Sequence, residues 1–195
     1  MSVAAIRDTI IASMEVKRSI LVDEGLLGKI EDLVAACVSC LTDGGKIIFA
    51  GNGGSFADAQ HLSAELISRF MFDRSPLASI VLGANSSAIS AIGNDYDFAQ
   101  VFARELQGVA KPGDVFVPIT TSGNSKNILV AVEQAKKQNL KVFALTGAGG
   151  GQLALQCDCL NVPSRDTARI QESHILIGHI VCGLVEQKYF SRCPR

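Results

Sequence analysis

Lys46-Ile47-Ile48-Phe49-Ala50-Gly51-Asn52-Gly53-Gly54-Ser55 is the stretch that decides the fold. Its first half, Lys46–Ala50, is a short apolar run of the kind that forms a strand buried on both faces. Its second half is a glycine-rich turn, and Ser55–Phe72 beyond it reads as a helix. Strand, glycine turn and helix start together present backbone N–H groups to an anion. The glycines let the backbone approach a ligand closely, and Ser55 adds a hydroxyl. On the helix, His61 and Glu65 stand at i and i+4 and share a face. An anion cradle with an imidazole and a carboxylate further along the helix suits a phosphorylated small molecule. The same spelling also serves as a plain strand-to-helix turn.

Outward from that stretch, apolar and helical patterns alternate. Strands are expected at Lys46–Ala50, Ser79–Leu82, Asp114–Thr120, Lys141–Thr146 and Cys159–Val162. Helices are expected at Ser55–Phe72, Ser86–Ile92, Phe98–Val109, Ser125–Gln138, Gly151–Gln156 and Asp166–Phe190. Strands that are apolar throughout and separated by helices imply an α/β fold with a parallel five-stranded sheet flanked by helices. Ligands of such sheets bind beyond the carboxyl ends of the strands. The glycine-rich and polar segments Gly51–Ser55, Gly83–Ser87, Thr120–Ser125 and Thr146–Gly151 fall there. Two helices precede the first strand, over residues 2–22 and Leu26–Leu41, and are not needed to build the sheet. An apolar pair of this kind suits packing against another subunit.

Thr120-Thr121-Ser122-Gly123-Asn124-Ser125 is the second informative loop, with Ser125 expected as an N-cap. Its hydroxyls and the helix N-terminus can hold a phosphate dianion without lysine or arginine. It is neither a Walker A loop, which needs a GK[ST] ending, nor a dinucleotide fingerprint, whose last glycine is here Phe56. Gly93-Asn94-Asp95-Tyr96-Asp97 reads as a turn, and so does Thr146–Gly151. In the last helix His174 and His179 point ~140° apart, so one faces a site and the other faces solvent or core. Gln171 and His179 lie ~12 Å apart along the axis. They serve one metal only if their side chains lean together, and otherwise serve different subunits.

Composition narrows the class. The 195 residues suit one domain, and 48% hydrophobic content supplies a core. A net charge of −1 with no basic block argues against nucleic-acid or membrane-surface binding. Met1–Arg18 lacks the apolar centre of a signal peptide, and no apolar run approaches the ~20 residues of a membrane span, so a cytoplasmic location is expected. Six cysteines are present. Cys37-Val-Ser-Cys40 spells CxxC but lies inside a helical pattern, so the cysteines are expected as packing residues.

These loops resemble the sugar isomerase (SIS) domain family, and within it the phosphoheptose isomerases. The segments that carry the likeness are Ala50–Ser55, Asp58-Ala59-Gln60-His61 with Glu65, Gly93-Asn94-Asp95, Ile119–Ser125 and Thr167–His179. The resemblance runs almost end to end. It implies a single SIS domain over 1–195, a flavodoxin-like three-layer sandwich, with residues 1–45 as a helical extension used in oligomerisation. It implies a homotetramer with sites where subunits meet. It implies one zinc ion per subunit held by His61, Glu65, Gln171 and His179. The substrate would be held by Asn52, Gly53, Gly54, Ser55, Asn94, Asp95, Thr120, Thr121, Ser122, Ser125, Glu65 and Gln171. Three positions depart from the family. Thr120 stands where many relatives carry serine, Ala168 replaces an aspartate of some relatives, and Pro118 lacks a ladder donor inside a buried strand.

The implied chemistry converts sedoheptulose 7-phosphate, a phosphorylated seven-carbon ketose, to D-glycero-D-manno-heptose 7-phosphate through an enediol. This would be the first step towards a nucleotide-activated heptose. Glu65 would be the base and His179 the acid. Two alternatives are a non-catalytic SIS protein that binds the replication initiator and an isomerase of another phosphosugar. A sugar-phosphate-sensing regulator fits less, because the N-terminal helices are not basic and show no helix-turn-helix pattern. The presence of both Glu65 and His179 favours the enzyme.

Overall fold

A computed structural model describes residues 2–192. Five strands form one parallel sheet: β1 (Ile47–Gly51), β2 (Ser79–Val81), β3 (Val115–Ile119), β4 (Lys141–Thr146) and β5 (Asp158–Asn161). The strand order is β2-β1-β3-β4-β5. Seven α-helices accompany them among the described residues: α1 (Val3–Leu21), α2 (Glu24–Thr42), α3 (Gly54–Ile67), α4 (Ser86–Asp95), α5 (Val101–Val109), α6 (Lys126–Lys137) and α7 (Thr167–Arg192).

The side-chain period of two explains the layers. Ile47, Phe49, Val115, Val117, Ile119, Phe143 and Leu145 point into one core, shared with α2, α3 and α7. Ile48, Ala50, Phe116, Val142 and Ala144 point into the other, shared with α5 and α6, with Ile89 and Ile92 of α4 against it. Both faces are covered, as the unbroken apolar strands require.

The two N-terminal helices differ. α2 buries Leu26, Ile30, Leu33, Val34, Cys37, Val38, Cys40 and Leu41 in the core of its own chain. Cys37 and Cys40 are thus free packing residues. α1 buries Ile20 alone and leaves Val3, Ile6, Ile10 and Met14 exposed.

Several element ends differ from the expectation, each for a local reason. The helix after the glycine turn stops at Ile67, not at Phe72. Arg74 takes the carbonyls of Glu65, Leu66 and Ser68 at 2.7–2.9 Å and so closes the helix early. Gly93-Asn94-Asp95 forms the last turn of α4, not a turn after it. Gly151–Leu155 is a 3₁₀ helix, as is Phe98–Gln100 ahead of α5. Pro118 is tolerated because its missing donor faces one neighbour only. Thr120 N–H donates to Leu145 O on β4, so the N of Pro118, two residues earlier, also faces β4. Pairing to β1 runs unbroken through Ala50↔Pro118, whereas pairing to β4 skips Val117 and Pro118.

His174 on α7 is the histidine that faces the core. It is fully buried, and neither ring nitrogen has a partner of hydrogen-bond geometry. Burial pulls its pKa from 6.5 to about 4. The unfolded chain therefore binds the extra proton between those values. Stability should fall as pH drops from 6.5 to 4, by about 3 kcal/mol in all. Urea unfolding at pH 7 and pH 4.5 checks this. His174→Leu should flatten the difference, and an unchanged slope in that variant would remove His174 as its source.

Candidate active site

The 2-1-3-4-5 strand order reverses between β1 and β3, and a crevice opens at their carboxyl ends. The two loops singled out by sequence lie at that switch point. Gly51 ends β1, and a Cβ there would collide with the Ser55 carbonyl as the chain turns into α3. Gly53 takes φ +56°, a conformation that favours glycine. Ser55 is buried in the first turn of α3. Beyond β3, Thr120 Oγ1 and Ser125 Oγ lie 3.2 Å apart. Ser125 is the N-cap residue of α6, as expected, but its hydroxyl makes no capping bond.

The loops are fixed from outside. Asn52 and Asn127 exchange two amide hydrogen bonds, Nδ2 to Oδ1, at 2.9 and 2.8 Å, which ties the β1 loop to the start of α6. Gly123 (φ +65°) passes so close to Gly150 O that no side chain fits. Leu153 N–H donates to Gly123 O, and Gln152 N–H to Asn124 Oδ1. Gly150–Leu153, the start of the 3₁₀ helix, thus braces the hydroxyl loop. Between the loops lies a cleft of about 630 Å³, lined by Asn52, Gly53, Ser125, Lys126 and Asn127 with Asp97–Ala99. Asn127 was missed by sequence reading, although a polar residue in the first turn of a helix beside an anion loop is a usable signal.

The second part of the site stands along α3. His61 Nε2 lies 3.0 Å from Glu65 Oε1, and His179 Nε2 from α7 lies 3.4 Å from His61 Nε2. One ligand atom from each of His61, Glu65 and His179 falls within 4.8 Å of the others. Two imidazole nitrogens and a carboxylate oxygen make a nitrogen-and-oxygen donor set that fits zinc. α3 and α7 come this close because Gly178 of α7 lies against the Leu62 side chain, which leaves no room for a Cβ there. Phe70 stacks on the His179 ring, with centroids 5.5 Å apart and planes 18° apart.

Gln171 takes a different place. A Cβ at Gly54 would lie 2.7 Å from its Nε2, so its carboxamide covers that glycine. Gly54 lies ~10 Å before His61 along α3, so Gln171 stands at the start of α3 and away from the three-residue cluster. Asn94 and Asp95 are exposed, are hydrogen-bonded to each other at 2.8 Å, and do not line the cleft between the loops.

Asp58, named above only as part of the Asp58–His61 segment, was given no role by sequence reading. It sits at i−3 from His61 and i−7 from Glu65, so the three share one α3 face. Its Oδ2 is buried without a partner. Burial pushes its carboxyl upward, and the His61 and His179 imidazoles act against that.

Comparison with known proteins gives the family. The SIS domain profile matches residues 15–147. A phosphoheptose isomerase of Aneurinibacillus thermoaerophilus is 50% identical over 186 residues, covering 95% of this chain and 94% of that protein. Phosphoheptose isomerase 2 of Campylobacter jejuni is 49% identical over 181 residues, covering 92% and 90%. A solved phosphoheptose isomerase structure from Francisella tularensis superposes with a TM-score of 0.91 at 39% identity, covering 96% of this chain and 99% of that one.

Proposed function

We propose that this chain, a member of the SIS domain family and of its phosphoheptose isomerase branch, interconverts sedoheptulose 7-phosphate and D-glycero-D-manno-heptose 7-phosphate. The observation that carries this is the pairing of a neutral-donor anion cradle at the β1/β3 switch point with the His61–Glu65–His179 cluster two turns along α3. Ser55 and His61 are separated by ~9 Å of helix rise, which suits an open-chain sugar with its phosphate at one end and its reacting carbons at the other.

Ser55, Thr120, Thr121, Ser122 and Ser125 bind the phosphate, with the N-termini of α3 and α6 supplying N–H groups. Asn52, Gly53 and Gly54 shape the floor, Gln171 covers Gly54, and Asn94 and Asp95 complete the pocket in the assembled oligomer. Phosphate binding holds the remote reacting end still. Glu65 takes the proton from C1. Its Oε1 is engaged by His61 at 3.0 Å, which leaves Oε2 for that task. His179 moves protons at the C1 and C2 oxygens, with its ring held flat against Phe70. The proton returns at C2.

His61, Glu65 and His179 would hold a zinc ion in this scheme. An ion held there would supply Lewis-acid polarisation of the substrate carbonyl. The assembly is a homotetramer built through the N-terminal extension, in keeping with the exposed apolar residues of α1. The chain works in the cytoplasm as a single domain. No helix among the described residues is long and apolar enough to cross a membrane.

The direct test is proton NMR of the metal-replete protein with sedoheptulose 7-phosphate in D₂O. An aldoheptose phosphate carrying deuterium at C2 is expected. No product and no exchange at C1, with zinc present, would overturn the assignment.

A further inference from the structure

One group in the site has no role in the steps above. Asp58 lies on the same α3 face as His61 and Glu65, and its Oδ2 is buried with no hydrogen-bond partner. The carboxylate as a whole is half-buried, and a carboxylate oxygen shut from solvent without a partner is costly unless a positive charge offsets it. The nearby titratable groups are the imidazoles of His61 and His179, one from each of the two packed helices. The donor set His61, Glu65 and His179 supplies one negative charge. A divalent cation held there keeps an excess positive charge in a half-buried site, and Asp58 stands where it would cancel it.

We propose that Asp58 is a positioning residue of the cation site, the outer carboxylate whose charge balances a divalent metal held by His61, Glu65 and His179. The proposal rests on the metal assignment made above and adds to it a residue outside the donor set. Its action is electrostatic, through the cluster, and requires no contact with substrate. Outer carboxylates of this kind typically set metal affinity by about 10–100-fold.

The test uses full-length protein stripped by chelator dialysis, titrated with Zn²⁺ against a chromophoric competing chelator. Asp58→Asn should bind Zn²⁺ about 10–100-fold more weakly than the parent. Its metal-free unfolding midpoint should stay level or rise, because a charge with one solvent-excluded, unpartnered oxygen has been removed. A purely structural aspartate would give the opposite pattern, with a lower metal-free midpoint and unchanged Zn²⁺ affinity. Zn²⁺ binding equal to that of the parent overturns the role of Asp58 and leaves the metal site standing. A parent that binds no Zn²⁺ overturns both. If Asp58→Asn does not fold, Asp58→Ser, neutral and smaller, gives the same comparison.

Discussion

Glu65→Gln should lose about 10²–10⁴-fold in kcat while KM moves little. The substitution keeps the shape of the side chain and removes its charge and its basicity. The proposed phosphate loops are untouched, because Ser55 lies nearly three turns (~15 Å) earlier on α3 and Thr120–Ser125 follows another strand. An interaction made only as the C1 proton leaves shows itself in kcat, and uniform substrate binding shows itself in KM. The loss corresponds to roughly 3–5 kcal/mol of barrier. Because Glu65 also belongs to the metal cluster, Zn²⁺ content must be measured in parallel. A variant loaded with metal and still inert isolates the base. The sharpest readout is exchange of the C1 proton with D₂O, which Glu65→Gln should abolish. Wild-type exchange in the loaded variant would remove Glu65 from the proton transfer and leave its role as that of a ligand.

The two strand-to-helix turns were legible because glycine, serine and threonine there carry their reason locally. Conformational freedom, a hydroxyl and a helix start all reside within six residues. The sheet was legible for a similar reason, since runs such as Ile47–Ala50 are apolar at every position and so must be buried on both faces. The cluster was half legible. His61 and Glu65 announce themselves at i and i+4. The approach of His179 depends on Gly178 admitting Leu62, a packing fact between helices more than 100 residues apart in sequence. The place of Gln171 over Gly54 has the same origin. Spacing along α7 fixes how far Gln171 lies from His179, but only the parallel packing of α7 on α3 shows which turn of α3 each one meets. The early end of α3 was illegible because Ser68–Phe72 continues a plausible helical pattern. What stops the helix is Arg74, six to nine residues beyond the carbonyls it takes, held by a carboxylate from the far end of the chain.

That arrangement makes the second large expected effect. Arg74 and Glu186 are both buried, with Arg74 Nε 2.8 Å from Glu186 Oε1. Glu186 also accepts the N–H groups of Phe70 and Met71 at 3.0 and 2.7 Å. Arg74 donates in turn to the carbonyls of Glu65, Leu66, Ser68 and Ser75. Removing one partner of a buried ion pair costs about 3–5 kcal/mol, because the other is left charged and unpaired. Arg74→Met should show this in full, seen by urea unfolding or as a Tm lower by ~6–20 °C. Glu186→Gln should cost less, since Arg74 keeps its carbonyls and the amide oxygen still accepts one N–H. Both variants should also lower kcat, because Ser68–Arg74 carries the Phe70 ring that lies flat on His179. The double variant Arg74→Met with Glu186→Leu decides what the pair does. A simple ion pair replaced by apolar residues of similar volume recovers its stability. Here the recovery should be incomplete, because apolar side chains replace none of the bonds from Arg74 to the Glu65 and Ser68 carbonyls or from the Phe70 and Met71 N–H groups to Glu186. Leu66 O keeps the Leu77 N–H as a donor. Recovery to within 1 kcal/mol of the parent, on the scale of a single net hydrogen bond, would mean that water or a rearranged loop satisfies those groups. Arg74 would then be a counter-ion to Glu186 and no longer the cap that ends the helix carrying His61 and Glu65.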